Sequence, residues 1–460
     1  MTVLVASWLA LQGCASSPEK LPEVATPARW STADHQDNNA PVLAANQDWF
    51  RGFGSAELDA LITAAYADSL DLQAADARLR QADARARAAG ATILPQVDFG
   101  ASSDTFTGHS SQGSAHETDS GALISASYEI DFWGKNRAAR ASAQATLQAS
   151  EADRAVVALS TVTGVANTYF QAVALREEID SARLMETNAR KLLDLVNARG
   201  ATGLANPAEI AQQRAALANA AIHARELERQ QIEAQAALAI LVGKTPGTLE
   251  ITQQRLAEFA EPRVTAGLPT QLLIRRPDVY SAEESLRAAH ADVAQARAAF
   301  FPSVTLTGSG GVQNPAVQAA LLTLPGVGPT LTVGAGLTQT IFDGGRLRAA
   351  RDEAAAKELE MITHYRAAAL AAFWDVDVAL SAIDRLNLEA DAQQENVSQS
   401  ALALSGAEAR YRAGSGDFLT VLDAERTAIT ARDQMTQYKL QRLQAVVGLC
   451  KALGGGWEQK

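Results

Sequence analysis

Two cysteines, six histidines and one Gly-Lys-Thr triplet are the residues of this 460-residue chain whose types invite chemistry. The histidines stand at 35, 109, 116, 223, 290 and 364, and no two have the spacing of a helical metal-ligand pair. His109 and His116 share a stretch with Glu117 and Asp119, which reads as a solvated loop with at most weak metal affinity. Gly243-Lys244-Thr245 looks like the end of a phosphate-binding loop, but Leu238 occupies the place of the leading glycine and Pro246 would interrupt the following helix. No nucleophile triad or carboxylate dyad emerges from the spacing. An enzyme is therefore unsupported, and neither a cofactor nor a metal is expected.

The cysteines carry the one modification the sequence suggests. Val3 to Leu11 is apolar but far below the ~20 residues of a spanning helix, and it runs into Leu11-Gln12-Gly13-Cys14. That pattern is a signal peptide over residues 1–13 ending at a lipobox. After cleavage, the Cys14 thiol would carry a diacylglycerol whose buried methylenes hold the chain on a membrane. Gln12 departs from the usual lipobox, and no Lys or Arg precedes the apolar run. Residues 14–48 are rich in Pro, Ser, Asn and Asp without a sustained period, as a lipidated linker would be. Cys450 lies in an apolar helical stretch and reads as a buried, inert thiol, so an acylated Cys14 leaves no intrachain disulfide.

The elements that must position these residues are written twice. Ile93-Leu94-Pro95 matches Phe300-Phe301-Pro302 at an offset of 207 residues, Phe132-Trp133-Gly134 matches Phe342-Asp343-Gly344 at 210, and Arg199–Gly203 matches Arg410–Gly414 at 211. Gly243 and Gly454 are also 211 apart. Two repeats follow, over 49–260 and 261–457, each with the plan helix, strand, strand, very long helix, tight turn, helix. Strands are expected over about 95–107, 121–132, 302–312 and 330–342, because apolar and small polar residues alternate there. Ile124, Ala126, Tyr128, Ile130 and Phe132 share one face, while Ser125, Ser127, Glu129 and Asp131 share the other. One face suits lipid and the other suits water, and about ten residues per strand crosses a thin outer membrane. Four strands cannot close a barrel, and open edges in lipid leave backbone groups unpaired, so several chains must share one barrel. The strand-connecting stretches Gly108 to Ser120 and Asn314 to Pro329 are expected as outward-facing loops.

Gly134 to Arg199 and Gly344 to Arg412 are helical patterns with no proline, each on the order of 100 Å long at ~1.5 Å per residue. In the second, Leu359, Ile362, Ala369, Phe373, Val376, Leu380 and Ile383 form a coiled-coil seam interrupted by Arg366. Aromatic residues are only 5% of the chain, which favours closely packed helices over bulky cores. The net charge of -12, with bases alternating with acids, argues against a nucleic-acid partner.

Gly267-Leu268-Pro269, Leu272-Leu273-Ile274-Arg275-Arg276-Pro277-Asp278, Ala296-Arg297-Ala298-Ala299-Phe300-Phe301-Pro302-Ser303 and Lys451-Ala452-Leu453-Gly454-Gly455-Gly456-Trp457 carry a further reading. From about Trp49 to the C-terminus, the chain resembles the TolC-like outer-membrane efflux proteins, in the lipoprotein branch typified by OprM and NodT. The resemblance implies a mainly α fold with a membrane β-barrel: duplicated helical hairpins forming a periplasmic tunnel, and four strands per protomer in a twelve-stranded barrel shared by a homotrimer. It implies a periplasmic adaptor and an inner-membrane pump as partners, commonly of the resistance-nodulation-division class. It implies a Gram-negative outer-membrane location with Cys14 in lipid.

The resemblance also assigns roles at the hairpin tips, expected at about 199–207 and 410–417. Gly203, Leu204 and Ala205, with Ala413, Gly414 and Ser415, correspond to adaptor-contact tips. Leu419 and Asp423 correspond to a periplasmic gate in which a leucine blocks and a carboxylate ring forms the narrowest point. Glu209 and Tyr411 fall where relatives latch the hairpins together, although Gly416 replaces an arginine of one such latch and Thr420 replaces an acid. The expected function is passive export of drugs or other small toxic compounds as the outer-membrane channel of a tripartite pump. The competing readings are a duct for metal cations or polypeptides, and a non-conducting coiled-coil lipoprotein.

Overall fold

The computed structural model describes residues 22, 24–31, 48–110, 113–253, 255–262, 264, 269–313 and 330–458. Cys14, the signal segment, most of the linker, Gly267-Leu268 and the 314–329 stretch lie outside them. The elements are α1 (Ala56–Asp68), α2 (Leu70–Ala91), β1 (Gln96–Ser110), β2 (Gly113–Ile130), α3 (Lys135–Ala201), α4 (Pro207–Leu241), a single turn α5 (Pro269–Leu272), α6 (Pro277–Ala298), β3 (Ser303–Gln313), β4 (Thr330–Thr338), α7 (Arg346–Arg412) and α8 (Phe418–Ala452). The two halves match in length: α3 and α7 have 67 residues each, α4 and α8 have 35, and α2 and α6 have 22.

The chain divides into two compact units that do not follow the repeats. One holds 78–151 and 281–366, the other 24–77, 152–280 and 367–460, so each draws on both halves of the duplication.

The first unit contains one antiparallel sheet in the order β1-β2-β3-β4. Its register sorts the side chains cleanly. Val97 faces Ala126, Phe99 faces Ile124, Ile130 faces Val304, Tyr128 faces Leu306, and Val304 faces Leu337, which makes one surface apolar and uncharged. On the other surface Asp98 faces Ser125, Glu129 faces Thr305 and Thr307 faces Gly334. The apolar surface is bare, with Leu331 82% exposed. The first strand pair runs beyond its expected ends: β1 and β2 stay paired through Ser110↔Gly113, so the expected loop at 108–120 is mostly ladder. Alternation fades there into Gly, Ser and His, and cross-strand hydrogen bonding carries the pairing further than the side-chain pattern indicated. β4 stops at Thr338 instead of reaching 342.

In the second unit, Phe53, Leu58, Ile62, Tyr169, Phe170, Phe259 and Val447 form a buried core. Edge-on aromatic contacts organise it, with Phe170 5.0 Å from both Phe53 and Phe259. The duplication is visible in atomic detail here. Gly243 (φ 71) lies so close to the Asp68 carbonyl that a Cβ would overlap it, and Gly454 (φ 87) stands in the same relation to the Arg275 carbonyl. Both members of each pair are repeat equivalents, so Gly243 is a packing glycine and not part of a phosphate loop. Arg276 grips Asp278 through two nitrogens (2.9 and 2.6 Å) and reaches Asp375 at 2.8 Å and the Ala452 carbonyl at 3.2 Å. This explains the charged motif that precedes α6. Cys450 is buried, and desolvation pushes its thiol up to about 12.

The α7 seam is buried at Ala369, Phe373, Val376 and Leu380, but Leu359 is exposed. At the interruption Tyr365 is buried and Arg366 is exposed, so the helix turns an aromatic inward one residue earlier than the three-four spacing indicated.

Candidate gate at the hairpin tips

Each hairpin reverses through the same hydrogen-bond pattern. At the first tip the Leu204 amide donates to the Arg199 carbonyl (2.8 Å) and the Gly203 amide to Gly200 (3.1 Å). At the second, Ser415 donates to Arg410 (3.0 Å) and Gly414 to Tyr411 (3.0 Å). These helix-ending motifs need a left-handed residue, supplied by Gly203 (φ 75) and Gly414 (φ 77). The returning helices start on caps: the Asn206 side chain accepts from the Glu209 amide at 3.0 Å, and Asp417 accepts from the Thr420 amide at 2.9 Å. The Thr420 hydroxyl also donates to Asp417 at 2.7 Å, and together these bonds hold the Asp417 carboxyl below the ordinary carboxylate range.

Val196, Ala407, Tyr411, Phe418 and Val421 form a small apolar cluster behind the tips. Tyr411, 3% exposed, is its hub. The Arg199 guanidinium lies 4.5 Å over the Tyr411 ring and donates to the Tyr411 carbonyl at 2.8 Å. From the other end, the Tyr411 hydroxyl reaches Glu209 at 3.5 Å. Burial raises the Tyr411 pKa, and Glu209 adds to the effect, so the phenol remains a neutral donor. The structure thus brings Glu209 and Tyr411 together across the hairpins and adds Arg199, which the sequence reading did not single out as a side chain. Its signal was present in the repeat, where Arg199 and Arg410 are equivalents.

Leu204, Ala413, Gly414 and Ser415 are exposed, as is Gly203, while Ala205 is half-buried against the cluster. Leu419 is 62% exposed on the first turn of α8, and the exposed Asp423 lies one turn further along. Asp423 has a partner that the sequence reading missed, since Arg426 donates to it at 3.0 Å from the next turn. The arrangement can hold two hairpins closed by packing and polar contacts while leaving a leucine and a paired carboxylate presented outward. Among the described residues, no three His, Cys, Asp or Glu side chains are grouped as a metal would need.

A family model described as outer membrane efflux protein matches residues 61–244 and 268–455. The chain is 41% identical over 465 residues to the pyoverdine export outer membrane protein OpmQ of Pseudomonas aeruginosa, covering 99% of this chain and 96% of that one. It is 29% identical over 459 residues to the cation efflux system protein CusC of Escherichia coli, covering 98% and 97%. Among solved structures, the open state of the Neisseria gonorrhoeae MtrE outer membrane channel matches with a TM-score of 0.85 and 27% identity, covering 97% of this chain and 99% of that one.

Proposed function

From the premise that this chain belongs to the outer membrane efflux protein family, we propose that three copies close one twelve-stranded barrel and that the duct exports pyoverdine or a related small compound. The chain is an outer-membrane efflux channel. The observation that carries the trimeric barrel is the sheet itself: four strands, one uncharged apolar surface, one polar surface, and two edges, at β1 and β4, that no described strand pairs. In lipid those edges need partners, and strand pairing between copies supplies them. The choice of cargo draws on the 41% identical relative, whose name records pyoverdine export.

Around this duct, a periplasmic adaptor engages the tips at Gly203, Leu204, Ala205, Ala413, Gly414 and Ser415. An inner-membrane pump of the resistance-nodulation-division class supplies the energy, and Cys14 carries a lipid that holds the chain in the outer membrane. Leu419 and Asp423 narrow the periplasmic entrance. Arg426 beside Asp423 lowers the charge repulsion among three such carboxylates, and Glu209, Tyr411 and Arg199 keep the hairpins together. Asp423→Ala is expected to raise leak conductance in planar bilayers, and unchanged conductance would remove Asp423 from the gate. For the cargo, deleting the gene should lower pyoverdine in the medium and raise it in the periplasm. Equal levels in both strains would reject pyoverdine as the cargo.

A further inference from the structure

At the end of the sheet where β2 and β4 finish and β1 and β3 begin, apolar side chains are exposed in a band. Phe132, Trp133, Phe301, Ile341 and Phe342 all lie within four residues of a strand end, and Ile341 and Phe342 are each 89% exposed. Trp133 is held rigid: its ring stacks on Phe301 at 4.6 Å, and its indole N–H donates to the Pro302 carbonyl at 2.8 Å. Phe132 follows Ile130 at the two-residue spacing of the apolar surface, so the band continues the surface that meets lipid.

Immediately beyond the band the chain changes character. Arg140 on the early turns of α3 and Arg348 at the start of α7 are exposed and form no salt bridge among the described residues. The exposed Arg346 lies near Asp343, whose carboxyl is held down by the Leu347 amide first and by Arg346 as well. Each helix start is capped by an acid just before it, Asp131 accepting from the Asn136 and Arg137 amides and Asp343 from the Gly345 and Leu347 amides. These caps answer the partial positive charge of each helix start, and the arginines past them gain nothing from it. They stand in a chain whose net charge is -12. Arg140 lies only ~8 Å along α3 from its start, about one headgroup layer from the aromatic band. Arginine is the side chain best shaped to hold a phosphodiester through paired N–H donors.

We propose that this aromatic band and the arginines beneath it form a collar that binds anionic phospholipid headgroups of the leaflet on the helical side of the membrane. Trp133, Phe301 and Phe342 sit at the boundary between acyl chains and headgroups, and Arg140, Arg346 and Arg348 take the phosphates. In the assembled channel the collar repeats with each copy, fixing how deeply the sheet sits. The proposal rests on the reading of the sheet as a shared barrel.

The test uses the full-length assembled protein in bilayers and by native mass spectrometry. Wild-type protein should retain phosphatidylglycerol several-fold over phosphatidylcholine, and the triple variant R140Q/R346Q/R348Q should lose that preference, while the lysine version at the same three positions keeps it. Trp133 fluorescence, isolated as the difference between wild type and Trp133→Phe, should be quenched more by lipids brominated near the headgroup than by lipids brominated deep in the chain. Absence of a headgroup preference, or a preference untouched by the glutamine variant, would overturn the collar. So would a Trp133 signal that no brominated lipid quenches, which would place a second copy or another protein over the band. Planar-bilayer conductance separates the two levels: a protein that conducts without selecting lipids refutes the collar alone, and one that never conducts refutes the barrel reading beneath it.

Discussion

The two hairpin tips share one backbone plan and differ in the side chains they carry. Their backbones superpose in logic: a left-handed glycine, the same pair of helix-ending hydrogen bonds, a side-chain cap, and a returning helix of 35 residues. Their side chains have diverged at matched positions 211 apart. Gly200 in the first tip corresponds to Tyr411 in the second, Glu209 to Thr420, Ala205 to Gly416 and Gln212 to Asp423. The first tip therefore offers Arg199 and Glu209 as polar arms, and the second offers the aromatic ring that both arms hold. A Cβ at Gly200 would press on Ile210 at 3.0 Å, and one at Gly416 on Arg410 at 3.0 Å, so each glycine is kept small by a neighbour in its own tip. Duplication preserved the turn, and divergence made a clasp between the copies.

Removing the ring should have the largest effect. Tyr411→Ala empties the centre of the tip cluster and deletes the ring contact with Arg199 and the hydroxyl contact with Glu209, leaving only the Arg199 bond to the main-chain carbonyl, with an expected cost of ~3 kcal/mol measured by thermal or denaturant unfolding of the assembled protein. Gly200→Ala, at the matched site, should cost less, since the methyl meets one flexible isoleucine end. Next come the turn glycines. Gly203→Val and Gly414→Val force a β-branched residue into a left-handed conformation and should cost about 1–3 kcal/mol each. Because no neighbour crowds either position, similar losses at both would support a purely backbone origin, and a much larger loss at one would break the equivalence of the tips. Asn206→Ala should lose ~1 kcal/mol with its cap.

A smaller, pH-dependent effect distinguishes the second hairpin. Glu425 on α8 is buried, its matched residue in the first hairpin being Arg214, and burial followed by repulsion from Glu408 raises its pKa. The folded state thus binds this proton more tightly than the unfolded chain. The burden on stability is absent below the ordinary glutamate range and grows as pH rises through the raised folded value. Glu425→Gln should stabilise the protein at neutral pH and leave it unchanged in strong acid. Equal effects at both pH values would show that packing, not charge, is responsible.

Much of this was legible in the residues. Period-two alternation located the four strands because each has one apolar surface, and the offset landmarks located the tips because the duplication kept its glycines. The extension of β1 and β2 to Ser110 and Gly113 was hidden, since Gly, Ser and His there carry no apolar alternation to mark a strand. Tyr365 replacing Arg366 at the seam was hidden because a three-four spacing averages over small rotations of a 67-residue helix. At the tips, Glu209 and Tyr411 came from family resemblance, and only coordinates place Arg199 over the ring, because contacts between segments some 200 residues apart leave no local pattern to read. The Asp423–Arg426 pair, by contrast, was legible as a three-residue helical spacing.

We propose that the clasp between the two diverged copies holds the duct shut at its tips, and planar-bilayer recording of the full-length assembled protein is the sharpest test. Small, stable single-channel currents are expected for the wild type and larger ones for Arg199→Ala, which releases the Tyr411 ring and carbonyl. An assembled protein that carries no current in either form, or identical currents in both, would contradict it.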